Sequence, residues 1–128
     1  MFRLFRIFKL VKYNKAIIRF ARALKESKEE LVIFSIACLV LLYMSAVGIY
    51  YFENSSQPDV FRSILDCLWW AVCTLTTVGY GDVYPITIGG KMFTFLILII
   101  GLGMIAVPAG ILSSSLTKID NDEDTEDI

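Results

Sequence analysis

Two stretches of this chain carry no charge for 21 positions each, residues 31–51 and residues 92–112. As helices they would each be about 30 Å long, enough to cross the hydrocarbon core of a bilayer. Between them, residues 64–78 form a third apolar run of 15 residues that carries Asp66. A helix there would reach only about 22 Å, too short to cross. The predicted fold is therefore an all-α membrane protein in which two spans bracket a re-entrant helix. Backbone that leaves helical form at membrane depth must be buried in protein or line a watery path. The Gly-containing stretch after Thr77 consequently implies a pore.

Composition agrees, with 56% hydrophobic residues in 128. Net charge is only −1, which gives no reason to expect a nucleic-acid partner, but the charges are unevenly placed. Nine of the twelve Lys and Arg precede the first span, and Arg62 and Lys91 alone lie between the spans. Basic residues favour the cytoplasmic side, so the reading is a multi-pass cell-membrane protein with both termini in the cytoplasm. The re-entrant helix then enters from outside. The basic first stretch lacks the short apolar run of a signal peptide. Residues 120–127 hold six carboxylates in eight positions, and residues 117–128 are expected to be a disordered acidic tail.

The chain has no His, and Cys38, Cys67 and Cys73 sit in apolar runs without metal-ligand spacing, as buried small hydrophobes. No nucleophile and base are suitably spaced, so an enzyme is not expected, nor any cofactor. Asn54-Ser55-Ser56 fits a glycosylation acceptor, a triplet common by chance.

The chemistry concentrates in Thr76-Thr77-Val78-Gly79-Tyr80-Gly81-Asp82. A bare cation needs a ring of oxygens in place of its water. If main-chain carbonyls supply them, successive residues must adopt partly left-handed conformations, which Gly79 and Gly81 tolerate. Val78 and Tyr80 can then pack behind the strand, and Thr77 can add its hydroxyl. One chain supplies one strand, so a ring needs several copies. Carbonyls at the C-terminal end of the preceding helix, near residues 74–76, carry partial negative charge that favours a cation.

Potassium-channel filters are built from four loops with this same Thr-Val-Gly-Tyr-Gly run. From about residue 53 to residue 116 the chain resembles the pore module of tetrameric potassium channels, closest to prokaryotic members of the voltage-gated, six-span branch. The resemblance implies a homotetramer that binds K⁺ at Thr77, Val78, Gly79 and Tyr80 as transported ion. It implies an outer helix over 31–52, a pore helix over 62–76, the filter at 77–81 and an inner helix over 91–116. Trp69 would hydrogen-bond Asp82, and Trp70 would meet the Tyr80 hydroxyl. Otherwise the two are interfacial aromatics. Glu53 matches a carboxylate that ties the outer helix to the pore region, and Cys73 stands where some relatives have a Glu. Gly101 and Pro108 match a hinge glycine and an inner-helix proline, with Gly110 beside them. The alternative there is helix packing. Thr76, Ile105 and Ala109 would face the cavity, and Tyr84 takes the position that sets external block by tetraethylammonium.

Arg3, Arg6, Lys9 and Lys12 recur every third residue among apolar ones, the pattern of a voltage-sensing helix. Residues 16–28 then resemble the interfacial helix that links sensor to pore. The other reading of residues 1–30 is a basic amphipathic segment lying on anionic lipid. Because the chain begins inside the charge array, it reads as a pore module cut from a longer protein, without a competent sensor. A natural two-span channel and a non-conducting membrane subunit are the alternatives.

Overall fold

The computed structural model describes residues 2–11 and 14–126. Lys12 and Asp127 lie outside them. Among the described residues the chain is all helix, with no strand: α1 (Phe5–Val11), α2 (Lys15–Glu26), α3 (Lys28–Glu53), α4 (Ile64–Leu75) and α5 (Ile88–Glu126). α3 and α5 are both long and apolar enough to cross a membrane. α4 has 12 residues, about 18 Å, and cannot.

The chain forms two compact units, one of Phe34–Val107 and one of Met1–Ile33 with Pro108–Ile128. The first holds α4 and most of both spans. Its core is Ala46, Ile49, Phe61, Cys67, Trp70 and Ala71, with Leu42, Tyr50, Ile64, Leu68, Val83 and Phe93 packed against it. Cys67 and Cys73 are buried, Cys38 partly so, and all three thiols are free. Small residues set the close approaches. Gly48 faces the Phe93 ring so closely that any Cβ there would collide with it, and Gly101 receives the Leu75 side chain in the same way. α4 starts at an N-cap: Ser63 Oγ accepts from Asp66 N at 3.2 Å, and Asp66 in the first turn suits the positive end of the helix. α5 starts at a comparable cap, where Gly90 N donates to Thr87 Oγ1 at 2.9 Å.

The second unit pairs α2 with the end of α5. Asn14 caps α2, accepting from Ala16 N at 3.1 Å. Arg19 meets Asp120 at 2.8 Å and also Glu123, and Arg22 lies 3.9 Å from Glu123. Ser27 and Ser115 share a hydroxyl hydrogen bond of 2.6 Å. Ala23, Ser27 and Ile119 are buried there.

This arrangement departs from the disordered tail expected over residues 117–128: α5 stays helical through Glu126. The reason is tertiary. Asp120 and Glu123, one turn apart, share a helix face and find cations on α2, while Ile119 is covered. α5 also runs unbroken past Pro108 and Gly110.

The Gly48 contact can be tested. Gly48→Leu should lower stability by about 1–3 kcal/mol through overpacking, and adding Phe93→Ala should recover most of it. Thermal denaturation of the detergent-solubilised variants is the measurement.

Candidate functional site

α4 stops at Leu75, and the chain turns into residues 76–81 without regular structure. Thr77, Gly79 and Gly81 have positive φ, at 62°, 55° and 76°, while Val78 and Tyr80 do not. This alternation of hand matches the partly left-handed backbone expected of a strand whose carbonyls face one axis. For the glycines this conformation carries no side-chain penalty. For β-branched Thr77 it is strained, by about 1–3 kcal/mol. Neither glycine is crowded, since a Cβ at Gly79 or Gly81 would meet nothing within 4 Å. Backbone hand, not space, is what glycine supplies.

The strand hangs from the end of α4. Gly79 N donates to Cys73 O at 2.9 Å and Thr77 N to Thr74 O at 3.1 Å. These carbonyls belong to the last turn of a helix, where no intrahelical donor remains. Cys73 therefore meets the strand through its backbone, with its thiol buried. Both threonine hydroxyls spend their protons locally: Thr76 Oγ1 donates to Val72 O at 2.7 Å, and Thr77 Oγ1 to Thr76 O at 2.6 Å. Their oxygen lone pairs are left to accept, or to face a cation.

Behind the strand, Trp69 Nε1 donates to Asp82 Oδ2 at 2.9 Å. The Trp69 ring stacks on Tyr80, with centroids 5.9 Å apart and planes within 7°. The expected meeting of Trp70 with the Tyr80 hydroxyl is not made within the chain. Adjacent helix residues diverge by about 100°, and Trp70 turns into the core against Phe61, 6.4 Å between centroids. Tyr80 and Trp69 stay largely exposed on the single chain, at 68% and 49%.

Glu53, the last residue of α3, is completely buried. Its carboxylate accepts from Thr87 N at 2.9 Å, Thr87 Oγ1 at 2.6 Å, Ile86 N at 3.1 Å and Gln57 Nε2 at 2.8 Å. Four donors compensate a buried charge that would otherwise be costly. Gly90 makes room for it, because a Cβ there would strike Glu53 Oε1. Gln57, Thr87 and Gly90 were not legible as site residues. Thr87, which stands just before α5, is of a residue type that caps helices.

Other expected positions lie farther along. Tyr84 is exposed, and its carbonyl accepts from Gln57 Nε2 at 3.0 Å. Gly101 is buried against Leu75, which gives it a packing reason besides any hinge. Ile105 and Ala109, four apart on one face of α5, are exposed. Arg6 and Lys9 lie on α1, with Arg3 in the turn before it.

The described residues thus combine two membrane-length helices with a short helix and a strand of alternating hand. The chain belongs to the ion transport protein family, which matches residues 1–124. Over 121 residues, 91% of its length, it is 36% identical to a Rhodopseudomonas palustris protein with a provisional potassium-channel name. Over 106 residues, 81% of its length, it is 41% identical to human potassium voltage-gated channel subfamily A member 6. Over 123 residues, 90% of its length, it is 40% identical to human subfamily A member 4. It spans only 28%, 20% and 18% of those three proteins. All three carry potassium-channel names.

Glu53→Ala would strand Thr87 N, Ile86 N and the Thr87 hydroxyl. Each such loss costs about 1–3 kcal/mol, so the melting temperature in detergent should fall sharply. Glu53→Gln, which still accepts, should lose less.

Proposed function

We propose that this chain forms a K⁺-selective pore, four copies around one axis, with passive conduction through residues 77–81. The observation that carries this reading is the alternation of backbone hand at Thr77, Gly79 and Gly81, in a sequence identical to that of potassium-channel filter loops. K⁺ would be held by the carbonyls of Thr77, Val78, Gly79 and Tyr80, with the Thr77 hydroxyl innermost. The names of the relatives support the same ion. Exposure of Val78 and Tyr80 on one chain supports neighbours beside the strand. In this reading residues 31–116 are the pore module, Gly101, Pro108 and Gly110 are where the inner helix bends, and Thr76, Ile105 and Ala109 line the cavity. Apolar side chains there gate by dewetting.

The basic residues before α3 support a cell-membrane protein with both termini in the cytoplasm. Arg3, Arg6, Lys9 and Lys12 supply charges of the voltage-sensing type, and anionic lipid is a suitable partner for them. K⁺ is cargo here, and the proposed mechanism requires no cofactor.

Planar-bilayer recording under K⁺/Na⁺ bi-ionic conditions tests the proposal. A large reversal potential favouring K⁺ is expected, and one near zero would refute it. Gly79→Ala should abolish the K⁺ current, because an L-residue at φ 55° is disfavoured by about 1–2 kcal/mol and would turn its carbonyl away.

Tyr84, 60% exposed three residues beyond Gly81, would ring the outer mouth four times. Aromatic faces attract quaternary ammonium, so external tetraethylammonium should block. Tyr84→Val should weaken that block about tenfold and leave the K⁺/Na⁺ reversal potential in place. Equal block of both proteins would remove Tyr84 from the site.

A further inference from the structure

Six residues, 82–87, connect the filter strand to α5. Among the described residues, no backbone–backbone hydrogen bond joins two members of this connection. Side chains from elsewhere hold it instead. Trp69 takes the Asp82 carboxylate, Glu53 takes the N–H groups of Ile86 and Thr87, and Gln57 takes the Tyr84 carbonyl.

Gln57 stands in the turn after α3 and is half-buried. Its own backbone is fixed there: Gln57 N donates to Glu53 O at 2.7 Å, and Gln57 O accepts from Val60 N and Phe61 N. One amide nitrogen serves two acceptors, Glu53 Oε2 at 2.8 Å and the Tyr84 carbonyl at 3.0 Å. A primary amide has two N–H bonds on that nitrogen, one for each. The reverse orientation would set an amide oxygen against a carboxylate and a carbonyl, so the partners dictate the orientation. Glutamate has the same shape and no proton to give. Asparagine is one methylene too short to span the same gap.

We propose that Gln57 is a positioning residue for the outer mouth: its amide couples the buried Glu53 carboxylate to the Tyr84 carbonyl and so sets where the strand leaves the filter. This rests on the pore reading above. Without the bridge, nothing fixes the Tyr84 carbonyl, and the strand beyond Gly81 gains freedom to leave its conducting form. Tyr84 is also the residue proposed to meet external tetraethylammonium, so its ring would be mispositioned too.

The test compares wild type with Gln57→Glu, Gln57→Met and Gln57→Lys in planar bilayers. Gln57→Glu swaps the donor for an acceptor at constant shape. Gln57→Met removes both donors and adds no charge. Gln57→Lys restores N–H donors on one nitrogen. Current during sustained opening should decay about tenfold or more faster in the Glu variant, as expected when both hydrogen bonds are lost and a second carboxylate faces Glu53. The Met variant should shift the same way by less. Both should bind external tetraethylammonium more weakly at an unchanged K⁺/Na⁺ reversal potential. The Lys variant should return towards wild type, which a role in packing alone would not produce.

Wild-type decay and block in both Glu and Met variants would overturn the proposal. So would a Lys variant as impaired as Glu. If the Glu variant fails to assemble, the Met variant decides. Amide hydrogen exchange of residues 82–87, read by mass spectrometry on the full chain in detergent, needs no conduction. Faster exchange in the Glu or Met variant supports the bridge, and unchanged exchange in both refutes it. A wild type without K⁺-selective current would count against the pore reading, and the exchange result would still decide Gln57.

Discussion

The constraint on which the rest depends is that backbone leaving helical form at membrane depth must still have its polar groups satisfied. Residues 76–81 meet it in two ways. Their N–H groups reach back to the last turn of α4, where helix geometry leaves carbonyls without donors: Gly79 to Cys73 and Thr77 to Thr74. In the proposed pore their alternating hand would turn the strand's own carbonyls towards a cation. A helix end with unmatched acceptors and a strand with unmatched donors answer each other's deficit.

The same accounting explains the opposite end of the strand. A buried carboxylate is tolerable only with several donors, and Glu53 collects them from the turn after α3 and from the first residues before α5. Because two of those donors are backbone N–H groups of the connection, satisfying the charge also fixes the path of the chain. Thr87 does both tasks, donating to Glu53 and capping α5 through its hydroxyl oxygen. Gly90 is small because the carboxylate comes so near. Position and charge compensation are one interaction here.

In the other unit, electrostatics extends a helix that composition alone would have ended. Six carboxylates in eight residues repel one another and would leave an isolated segment unfolded. Arg19 and Arg22 relieve part of that repulsion, and Ile119 adds buried apolar surface. Each exposed ion pair is weak alone, worth at most about 1 kcal/mol, so it is their combination with the covered Ile119 and the Ser27–Ser115 hydrogen bond that accounts for the helix.

By itself the sequence determined the two membrane-length helices, the short helix between them and the irregular strand at residues 77–81. Each follows from local properties: the length of an uncharged run, and glycine spacing that only a backbone of alternating hand requires. The pairing of Trp69 with Asp82 was also within reach, given a resemblance to known pores. Tertiary structure decided the remainder. Trp70 points into the core because Phe61, Ala46 and Ile49 gather there, brought from sequence-distant places. Gln57, Thr87 and Gly90 matter because Glu53 is buried among them, and burial belongs to the folded chain, not to any window of residues. The acidic end is helical because its cations lie about a hundred residues earlier. Periodicity and run length are local signals, whereas charge compensation and close packing depend on which distant groups the fold brings within reach.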